Sequence, residues 1–587
     1  MRGGIMHDPY APYRVCDIRA TFEMIDTTAA DDVIVVVTGE SEVSKAEQTY
    51  DGFWEMDRKL ASFEHNILVL DGSFDLPSDD NGQVGYISEQ LSDGDGSLSD
   101  IVEFTFAQKH SSFGFTVCFD NKSRNYAKDF DVTAYDTTGM PIKTLQVRGN
   151  KSVVCVVDMP TPDYSAIRIT FLKTSIPFRR IRLTEFVFGV IYRYGREYGN
   201  MLDVHLTYES DLIGESFPSG EVTMTINNQD HRYNLINPTG VYQYLQQGQK
   251  ITYEMGVGSN FDDVEYVKAG TFFYTSSATA DDSLTAQITA NDKVMGLNKG
   301  KYRKGKNITG TLSEILTEIM EESDARLTLD IREGVGDRVI GWNIPVVSPR
   351  EAVRMAAQAA MAVCYISRDN ELVVTDLPDY IPIGEVRMRD MYHPANVIAT
   401  DYYNTVECKG FNYRNDGSYP PSKSEVYNAE MEIMGIDTIW IDYDAVSSPS
   451  ATITNGTLIA AEYYLYSCRL TISGMGTVTI KIQGYRLSLA ESVHKVSGGQ
   501  DDEDEYVYAA ENQLVRSDNA VVWGEWVLSN LQRRLRYSMQ ERGNPCMEIL
   551  DVITVADSYG ENKAVYVEKQ QYHFVDGVLT AETKGVT

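Results

Sequence analysis

The chain has few side chains spaced for catalysis. A nucleophilic triad brings serine or cysteine beside histidine, yet no Gly-x-Ser-x-Gly elbow between a strand and a helix, and no His-Glu-x-x-His helix, is present. Asp230 and His231 are adjacent, but their surroundings are typical of a polar turn. We therefore predict no catalytic residue among the eight dispersed histidines: His7, His65, His110, His205, His231, His393, His494 and His573.

Metal and phosphate motifs are also weak. Residues 93–97 read Asp-Gly-Asp-Gly-Ser, but Leu98 stands where an EF-hand loop requires glycine. With Asp100 and Glu103 nearby, a calcium site of another kind stays open beside the simpler interpretation, a solvated turn. The glycine-rich stretch 333–337 lacks the lysine of a phosphate loop and predicts a turn. We predict no cofactor, no metal ligand and no enzyme activity.

Composition indicates a large, β-rich, acidic protein. A length of 587 residues predicts about four domains, and 37 tyrosines suit half-exposed strand faces. The net charge of -33 argues against binding to nucleic acid or anionic membranes by the surface at large. It fits either an exterior that keeps the protein soluble or an acidic channel wall past which DNA slides.

The cysteines and the termini point to a protein made in a cytosol. Seven scattered cysteines form no Cys-x-x-Cys pair or Cys/His cluster, so we expect reduced thiols. The N-terminus has no apolar signal region, and no apolar run approaches the ~18 residues that span a bilayer. We therefore expect no membrane segment and no secretion signal.

The elements predict a mainly β fold with α+β segments. The stretch 221–274 alternates apolar and polar residues as half-buried strands do, and the apolar run 33–37 predicts a strand covered on both faces. Thr311 and Ser348 begin two helices, and a third is predicted over 518–537. A hairpin is predicted over 365–374, loops at 417–424 and 447–456, and a solvated acidic run at 500–505.

Two segments share an order of motifs. Asn237-Pro, a strand at 250–255, a strand at 270–274 and a strand at 283–289 are matched by Asn544-Pro and strands at 551–556, 564–568 and 578–583. Chance similarity between β segments is the alternative to a true internal repeat.

These motifs resemble the tail-tip and baseplate hub proteins of tailed bacteriophages, including the tail-associated hub family of phages of Gram-positive hosts. The resemblance rests on 226–228, 237–249, 270–272, 348–352 and 542–545. It implies a homotrimer in which two barrel-like domains per chain make a pseudo-sixfold ring that caps the tail tube in the virion. Its implied partners are distal tail, tube and other tail-tip proteins and the tape-measure protein, while DNA passes without specific binding.

A second resemblance, to galactose-binding-like β-sandwiches, rests on 71–74, 110–114, 129–136 and 177–185. It implies either binding of a host glycan, through residues that the sequence does not identify, or a packing module. We therefore predict an N-terminal hub part (1–62), an inserted sandwich (63–190), a first barrel-like domain (191–300), an α/β segment (301–375), a β-rich domain (376–510), and a helix with strands completing a second barrel-like domain (511–587).

Two other functions stay open. A carbohydrate-binding adhesin would use the 63–190 segment to attach to host cells. A peptidoglycan-degrading tail lysin is less favoured, because the sequence after the second motif set has no room for a further catalytic domain.

Overall fold

The computed structural model describes residues 7–54, 56, 58–61, 64, 74, 82–237, 240–280, 283–323, 325, 327–415, 422–498, 506–560 and 562–587, the side chain of Glu197 excepted. The acidic run 500–505, most of 62–81 and His65 lie outside these residues. No helix in the described part of the chain has the length and apolar character needed to cross a membrane.

The N-terminal third contains two strands of a large sheet and a complete β-sandwich. Its elements are β1 Val15–Ile25, α1 Ala29–Asp32, β2 Val33–Val37, β3 Tyr86–Ile87, β4 Ser97–Ser112, β5 Phe115–Phe119, β6 Ala127–Tyr135, β7 Pro141–Val147, β8 Val154–Val157, β9 Thr161–Thr174, β10 Arg182–Val187 and β11 Gly189–Gly195. The two sandwich sheets have the orders β2-β4-β9-β6-β7 and β3-β10-β5-β8. Aromatic rings fill the core between them, as where Phe104 stacks on Phe186 at 4.8 Å between centroids.

The strand β2 differs from its prediction. It pairs with β4 and so belongs to the sandwich, although the sequence predicts that 1–62 belongs to the hub part. Because it lies in one sheet of a two-layer sandwich, only one of its faces is covered, and Ile34 and Val36 are 65% and 55% exposed. The prediction that 33–37 is covered on both faces is wrong. A run of valine and isoleucine does not show whether a second layer of the protein packs on the outer face of the strand.

The sandwich is inserted at a hairpin position. The strands that enter and leave it, β1 and β11, are antiparallel neighbours, and Ile25 lies opposite Gly189. Glycine is required at 189 because a Cβ there would lie 2.2 Å from the Met24 carbonyl oxygen. The chain therefore leaves and re-enters the large sheet at one point.

The strands of the next segment build the first part of that sheet: β12 Met201–Glu209, β13 Glu221–Asn227, β14 Lys250–Gly258, β15 Glu265–Ala278 and β16 Thr285–Asn291. The alternation predicted for 221–274 is confirmed, since Val222, Met224 and Ile226 are fully buried. Their polar neighbours face the other side of the sheet, which leaves one apolar and one polar face.

The α/β segment follows, with β17 Thr309–Thr311, α2 Leu312–Glu321, β18 Thr328–Ile331, β19 Val339–Gly341, α3 Pro349–Ala359, β20 Val363–Ile366 and β21 Glu371–Thr375. The predicted caps are confirmed: the Thr311 hydroxyl accepts from Glu314 N, and the Ser348 hydroxyl accepts from Glu351 N. The hairpin predicted at 365–374 is β20 with β21. The helices pack on α4, defined below, in one core.

The following segment contains β22 Gly384–Val386, β23 Asn396–Ala399, β24 Thr405–Asn415, β25 Ser424–Asp442, β26 Val446–Tyr463, β27 Ser467–Ser497 and β28 Val507–Ala510. The central strand β27 pairs with both β25 and β26. The loop predicted at 447–456 is wrong, because these residues belong to β26. This strand bends at Asn455 (φ 62°), and Gly435 of β25 and Gly476 of β27 also have a positive φ. The polar turn-forming residues there mark bends within paired strands.

The C-terminal elements are α4 Ala520–Leu531, β29 Leu535–Glu541, β30 Val552–Ala556, β31 Asn562–Val575 and β32 Val578–Val586. The helix predicted over 518–537 is therefore wrong at its end. Tyr537 lies in β29, opposite Gly585 of β32, and Tyr537 and Met539 are buried in the sheet. Pairing with a distant strand overrides local helix preference there.

Two repeats stand side by side in the large sheet. Its order is β11-β1-β14-β15-β16-β13-β12-β31-β32-β29-β23, with β30 paired to β31 and β22. The order β14-β15-β16-β13-β12 is thus repeated as β30-β31-β32-β29-β23. The register between neighbouring strands is also repeated. Thr225 of β13 lies opposite Gln287 of β16, and the equivalent residues Gln540 of β29 and Glu582 of β32 lie opposite each other. The internal repeat is confirmed at the level of strand order, and the predicted fold class, mainly β with α+β segments and several domains, is confirmed.

Candidate functional site at the seam between the two repeats

The repeats meet where β12 pairs with the second half of β31. The antiparallel pairing runs from Asp203, opposite Val575, to Glu209, opposite Lys569. The first half of β31 pairs with β30, so this long strand serves both neighbours. We call the β12–β31 pairing the seam. It joins the two repeats by main-chain hydrogen bonds.

Three polar side chains gather on one face of the seam. His205 and His573 are directly opposite in register, and Asp203 shares their face because strand residues two apart point the same way. Asp203 Oδ1 lies 3.0 Å from His573 Nε2 and 3.4 Å from His205 Nε2. The imidazole rings stack with centroids 4.0 Å apart. One potential ligand atom from each residue lies within 4.8 Å of the others, the one such group found in the described residues.

A cleft of 410 Å³ opens beside this group. Its lining residues are His205, Thr207, Tyr392, Gln540, Glu541, Gln571, Tyr572, His573, Thr580, Ala581 and Glu582. Glu541 is fully buried in the wall, where it accepts hydrogen bonds from the Tyr10 hydroxyl at 2.5 Å and the Thr583 hydroxyl at 2.7 Å. Burial raises the pKa of the Glu541 carboxyl. Since internal donors occupy both its oxygens, Glu541 supports the fold.

The N-terminal segment contacts both repeats, including residues of the second repeat near the other end of the chain. Arg14 donates to the carbonyl oxygens of Gly543 and Leu579 at 2.8 and 2.7 Å. Arg542 donates back to the Tyr10 carbonyl oxygen at 3.1 Å. Because β1 pairs with β14 of the first repeat, residues 10–25 contact both repeats.

Besides the outer edges of β11 and β22, two further strand edges of the large sheet are unpaired among the described residues. The strand β23 ends the sheet, and all four of its residues are exposed. The last residues of β15 extend beyond its pairing with β14, which stops at Phe273 opposite Lys250. They pair on their other side with β16, and Ser276 and Ala278 are exposed. These are the places that correspond to β12 and β31 of the seam.

The structure separates most of the histidines considered in the sequence. His110 is buried, with Nδ1 3.0 Å from Asp26 Oδ2 and Nε2 2.8 Å from Asp32 Oδ1. His7 lies 3.6 Å from Asp263, and His494 contacts the Ser492 hydroxyl at 3.2 Å. His393 is exposed.

The turn at 229–231 is confirmed as a polar turn. His231 adopts a left-handed φ of 55°, and its carbonyl oxygen accepts from Asn237 Nδ2 at 2.9 Å. The stretch 333–337 also forms the predicted turn, with Gly334 at a φ of 79°.

The acidic residues of the possible calcium loop point to different partners. Asp95 accepts from the main chain and hydroxyl of Ser97, which lowers the pKa of its carboxyl. Asp100 accepts from the Tyr86 hydroxyl at 2.5 Å, while Glu103 pairs with Arg168 at 2.5 Å. The described carboxylates do not converge, so the solvated turn is the better interpretation of 93–97.

A second cavity, of 620 Å³, lies where the sandwich meets the large sheet. Aromatic side chains of Phe53 and Trp54 line it beside Glu185. Glu185 is buried, and one carboxyl oxygen accepts from Gly52 N at 3.2 Å while the other has no hydrogen-bond partner among the described residues. Burial raises the pKa of Glu185 to about 8, so the carboxyl is protonated at neutral pH.

Comparison with known proteins gives structural matches only. No protein-family model and no curated protein matches the chain. The 43 kDa tail protein of prophage MuSo2 from Shewanella oneidensis matches with a TM-score of 0.39 and 12% identity, over 68% of this chain and 95% of that one. The tail protein from Neisseria meningitidis MC58 matches with a TM-score of 0.40 and 8% identity, over 68% of this chain and 94% of that one.

A fucose binding module from Streptococcus pneumoniae matches with a TM-score of 0.19 and 13% identity, over 29% of this chain and 98% of that one. The matches fall in the two groups that the sequence resemblance named, phage tail proteins and carbohydrate-binding modules.

Proposed function

We propose that this protein is a structural, non-enzymatic hub subunit of a phage tail tip, and that three copies close a ring on the end of the tail tube. The tail context comes from the sequence resemblance to the hub family. The ring is inferred from the repeated strand order. The two repeats are joined within the chain by the pairing of β12 with β31, whereas the equivalent strands β23 and β15 do not pair with each other.

The seam serves as the template for the open joint. Within the chain, β12 ends the first repeat and pairs with the second half of β31. The strand equivalent to β12 in the second repeat is β23, and the strand equivalent to β31 in the first repeat is β15. We therefore place β23 of one copy against the end of β15 in the next copy.

The register of this joint follows from the repeat. At the seam Thr207 lies opposite Gln571. Thr207 also lies opposite Glu221, and Ile398 lies opposite Arg536, the residue equivalent to Glu221. Ile398 thus takes the place of Thr207.

The partner position follows in the same way. Gln571 lies opposite Glu582, and Ala278 lies opposite Gln287, the residue equivalent to Glu582. Ala278 thus takes the place of Gln571. Ile398 of one copy is expected opposite Ala278 of the next.

The exposed edge itself favours a partner. In β23, Val397 is 44% and Ile398 59% exposed, and Leu535 of the neighbouring β29 is 40% exposed. Soluble proteins cover or charge such edges because unpaired strands template association. The joint is heterologous, since it brings two different edges of neighbouring copies together. Such a joint closes into a ring only if a whole number of copies completes one full turn. Three copies with two repeats each would offer six similar positions to a sixfold tube.

Charge supports passage of DNA without adhesion. Phosphate binding needs unpaired lysine and arginine, whereas the chain carries a net charge of -33. On the polar face of the large sheet, Lys569 lies 2.8 Å from Glu209 and Lys250 lies 2.8 Å from Glu23. Like-charge repulsion and paired cations would let DNA and the tape-measure protein slide outward.

Location and enzyme activity test this function directly. Antibody labelling of intact particles viewed by electron microscopy should place the protein at the tail tip, next to the distal tail and tube proteins. Label along the tail shaft or on the head would overturn the proposal. Zymography of the purified protein against host cell wall should show no clearing, while lysis would favour the tail lysin.

A host-glycan adhesin is the second candidate, favoured by the cavity that Phe53, Trp54 and Glu185 line. Aromatic faces pack against sugar rings, and a protonated carboxyl can donate to a hydroxyl. A glycan array should show a bound sugar that Phe53→Ala weakens. As a control, Tyr559→Ala removes another exposed ring, 93% exposed and on the hub, and should change nothing. Equal binding by both variants would exclude this cavity.

A further inference from the structure

The seam carries a set of side chains that the hub function does not use. His205 and His573 form a cross-strand pair, and Asp203 reaches the same point from the same face. Directly opposed strand residues have Cβ atoms about 4.5–5.5 Å apart, which brings two imidazoles within reach of one ion. The main-chain pairing fixes this arrangement before any ligand binds.

The distances between the donor atoms suit a small tetrahedral ion. Zinc bound to nitrogen and oxygen ligands at about 2.0–2.1 Å requires neighbouring ligand atoms about 3.3 Å apart. The structure gives 3.0 Å from Asp203 to His573 and 3.4 Å from Asp203 to His205. The nitrogens of His205 and His573 lie within 4.8 Å of each other, so rotation of the imidazoles would bring all three atoms to bonding distance.

The surroundings also favour a cation. The three side chains are 33–54% exposed, so water can complete the coordination. The adjoining cleft carries Glu582 on its lining, whereas the buried Glu541 is occupied by its internal donors. The nearest lysine on this face of the seam strands, Lys569, is already paired with Glu209. An incoming cation thus gains negative neighbours.

We propose that Asp203, His205 and His573 bind one borderline divalent cation, of which Zn²⁺ is the type, with water in the remaining position. Two imidazoles and one carboxylate select such ions over Ca²⁺ and Mg²⁺, which prefer all-oxygen sites. Asp203 and His205 belong to the first repeat and His573 to the second. The bound ion therefore links the two repeats across the seam.

The ligand set is absent from the open joint between copies. Asn396 lies opposite Ser538 as His205 lies opposite Thr223, so Asn396 is the counterpart of His205. The cation site is thus specific to the joint within the chain. It would hold that joint closed whether or not copies have assembled.

Titration of the full-length protein with ZnCl₂, followed by calorimetry, tests the site. Wild type is expected to take up one more equivalent of Zn²⁺ than His205→Asn, His573→Gln or Asp203→Asn. The control His494→Asn changes a strand histidine paired with Ser492 and should keep the full stoichiometry. Zinc should also raise the melting temperature of wild type and of the control, and leave the three variants unchanged.

CoCl₂ distinguishes this site from the free cysteines. Cobalt in a site of nitrogen and oxygen ligands is expected to give visible d–d bands without a thiolate charge-transfer band, and alkylation of the cysteines should leave them unchanged. Equal zinc stoichiometry in wild type and the three variants would overturn the proposal. So would loss of all cobalt binding on alkylation, or absence of zinc uptake by wild type. Circular dichroism confirms that each variant is folded.

Discussion

The hydroxyl of Tyr10 donates a 2.5 Å hydrogen bond to the buried carboxylate of Glu541, 531 residues further along the chain. This contact anchors the N-terminal segment on β29 of the second repeat, while β1 follows it into the sheet beside the first repeat. The N-terminus thus helps to hold the two repeats in one sheet.

Tyr10→Phe should therefore destabilise the large sheet. It removes one of the two hydroxyl donors to Glu541 and leaves a buried acceptor short of a partner, at a cost of about 1–3 kcal/mol. The free energy of unfolding from urea titration measures the loss. Tyr13→Phe is the matched control, since Tyr13 is 93% exposed, and it should have no effect. Equal stability of both variants would show that the contact is unimportant.

Glu185 should make the stability of the sandwich depend on pH. Its pKa is raised to about 8 in the fold, from 4.5 in the unfolded chain, because burial disfavours the charged form. Between these values the folded state keeps a proton that the unfolded chain has lost, so stability is full below about pH 4.5 and falls as the pH rises toward 8. Glu185→Gln should remove much of this fall.

Thermal unfolding at pH 5 and pH 8.5 measures the effect. The wild type should lose stability across this range by an amount on the order of a few kcal/mol, at 1.36 kcal/mol for each unit of pKa difference. Glu185→Gln should lose less, whereas the exposed Glu89→Gln should follow the wild type. An unchanged pH slope in Glu185→Gln would contradict the assignment.

The buried ion pair of Arg182 with Asp120 should be critical to the sandwich. Its atoms lie 2.5 Å apart, with both side chains at most 2% exposed. Arg182→Met leaves the Asp120 charge buried without its cation, which costs about 3–5 kcal/mol. The partly exposed pair of Arg168 with Glu103 offers a control, and Arg168→Met should cost at most about 1 kcal/mol. Chemical denaturation compares them, and similar losses would refute the difference.

Removal of the insert should leave the large sheet intact. Ile25 and Gly189 are paired neighbours, so an Asn-Gly turn can replace residues 26–188 and close β1 on β11. The shortened chain should keep β-sheet circular dichroism and cooperative unfolding, and it should lose any glycan binding. Collapse to an unfolded chain would show that the sandwich is required for the large sheet to fold.

Local signals in the sequence predicted the elements well where local chemistry decides them. The caps at Thr311 and Ser348 lie within three residues of the groups they satisfy, so the sequence shows both partners. The sequence predicts the repeat because Asn237 and Asn544 precede corresponding strands in both halves. It predicts a third helix that is too long, because the pairing of Tyr537 with Gly585 joins distant parts of the chain.

The candidate site itself could not be predicted. Asp203 and His573 are 370 residues apart, and only the pairing of β12 with β31 brings them together. Alternation in each strand shows which face a histidine occupies, but it does not show which strand lies next to it. For the same reason the sequence does not show that β2 pairs with β4 in the sandwich.

Cross-linking between copies tests the ring most directly. Full-length protein carrying Ala278→Cys and Ile398→Cys is oxidised and run on a denaturing gel, beside Ala278→Cys alone, Ile398→Cys alone and wild type. A closed trimer should give disulfide-linked species of the double variant that end at three chains of 65.8 kDa, with none in the controls. A double variant that stays monomeric, or a ladder that continues past three chains, would contradict a closed trimer joined at these strands.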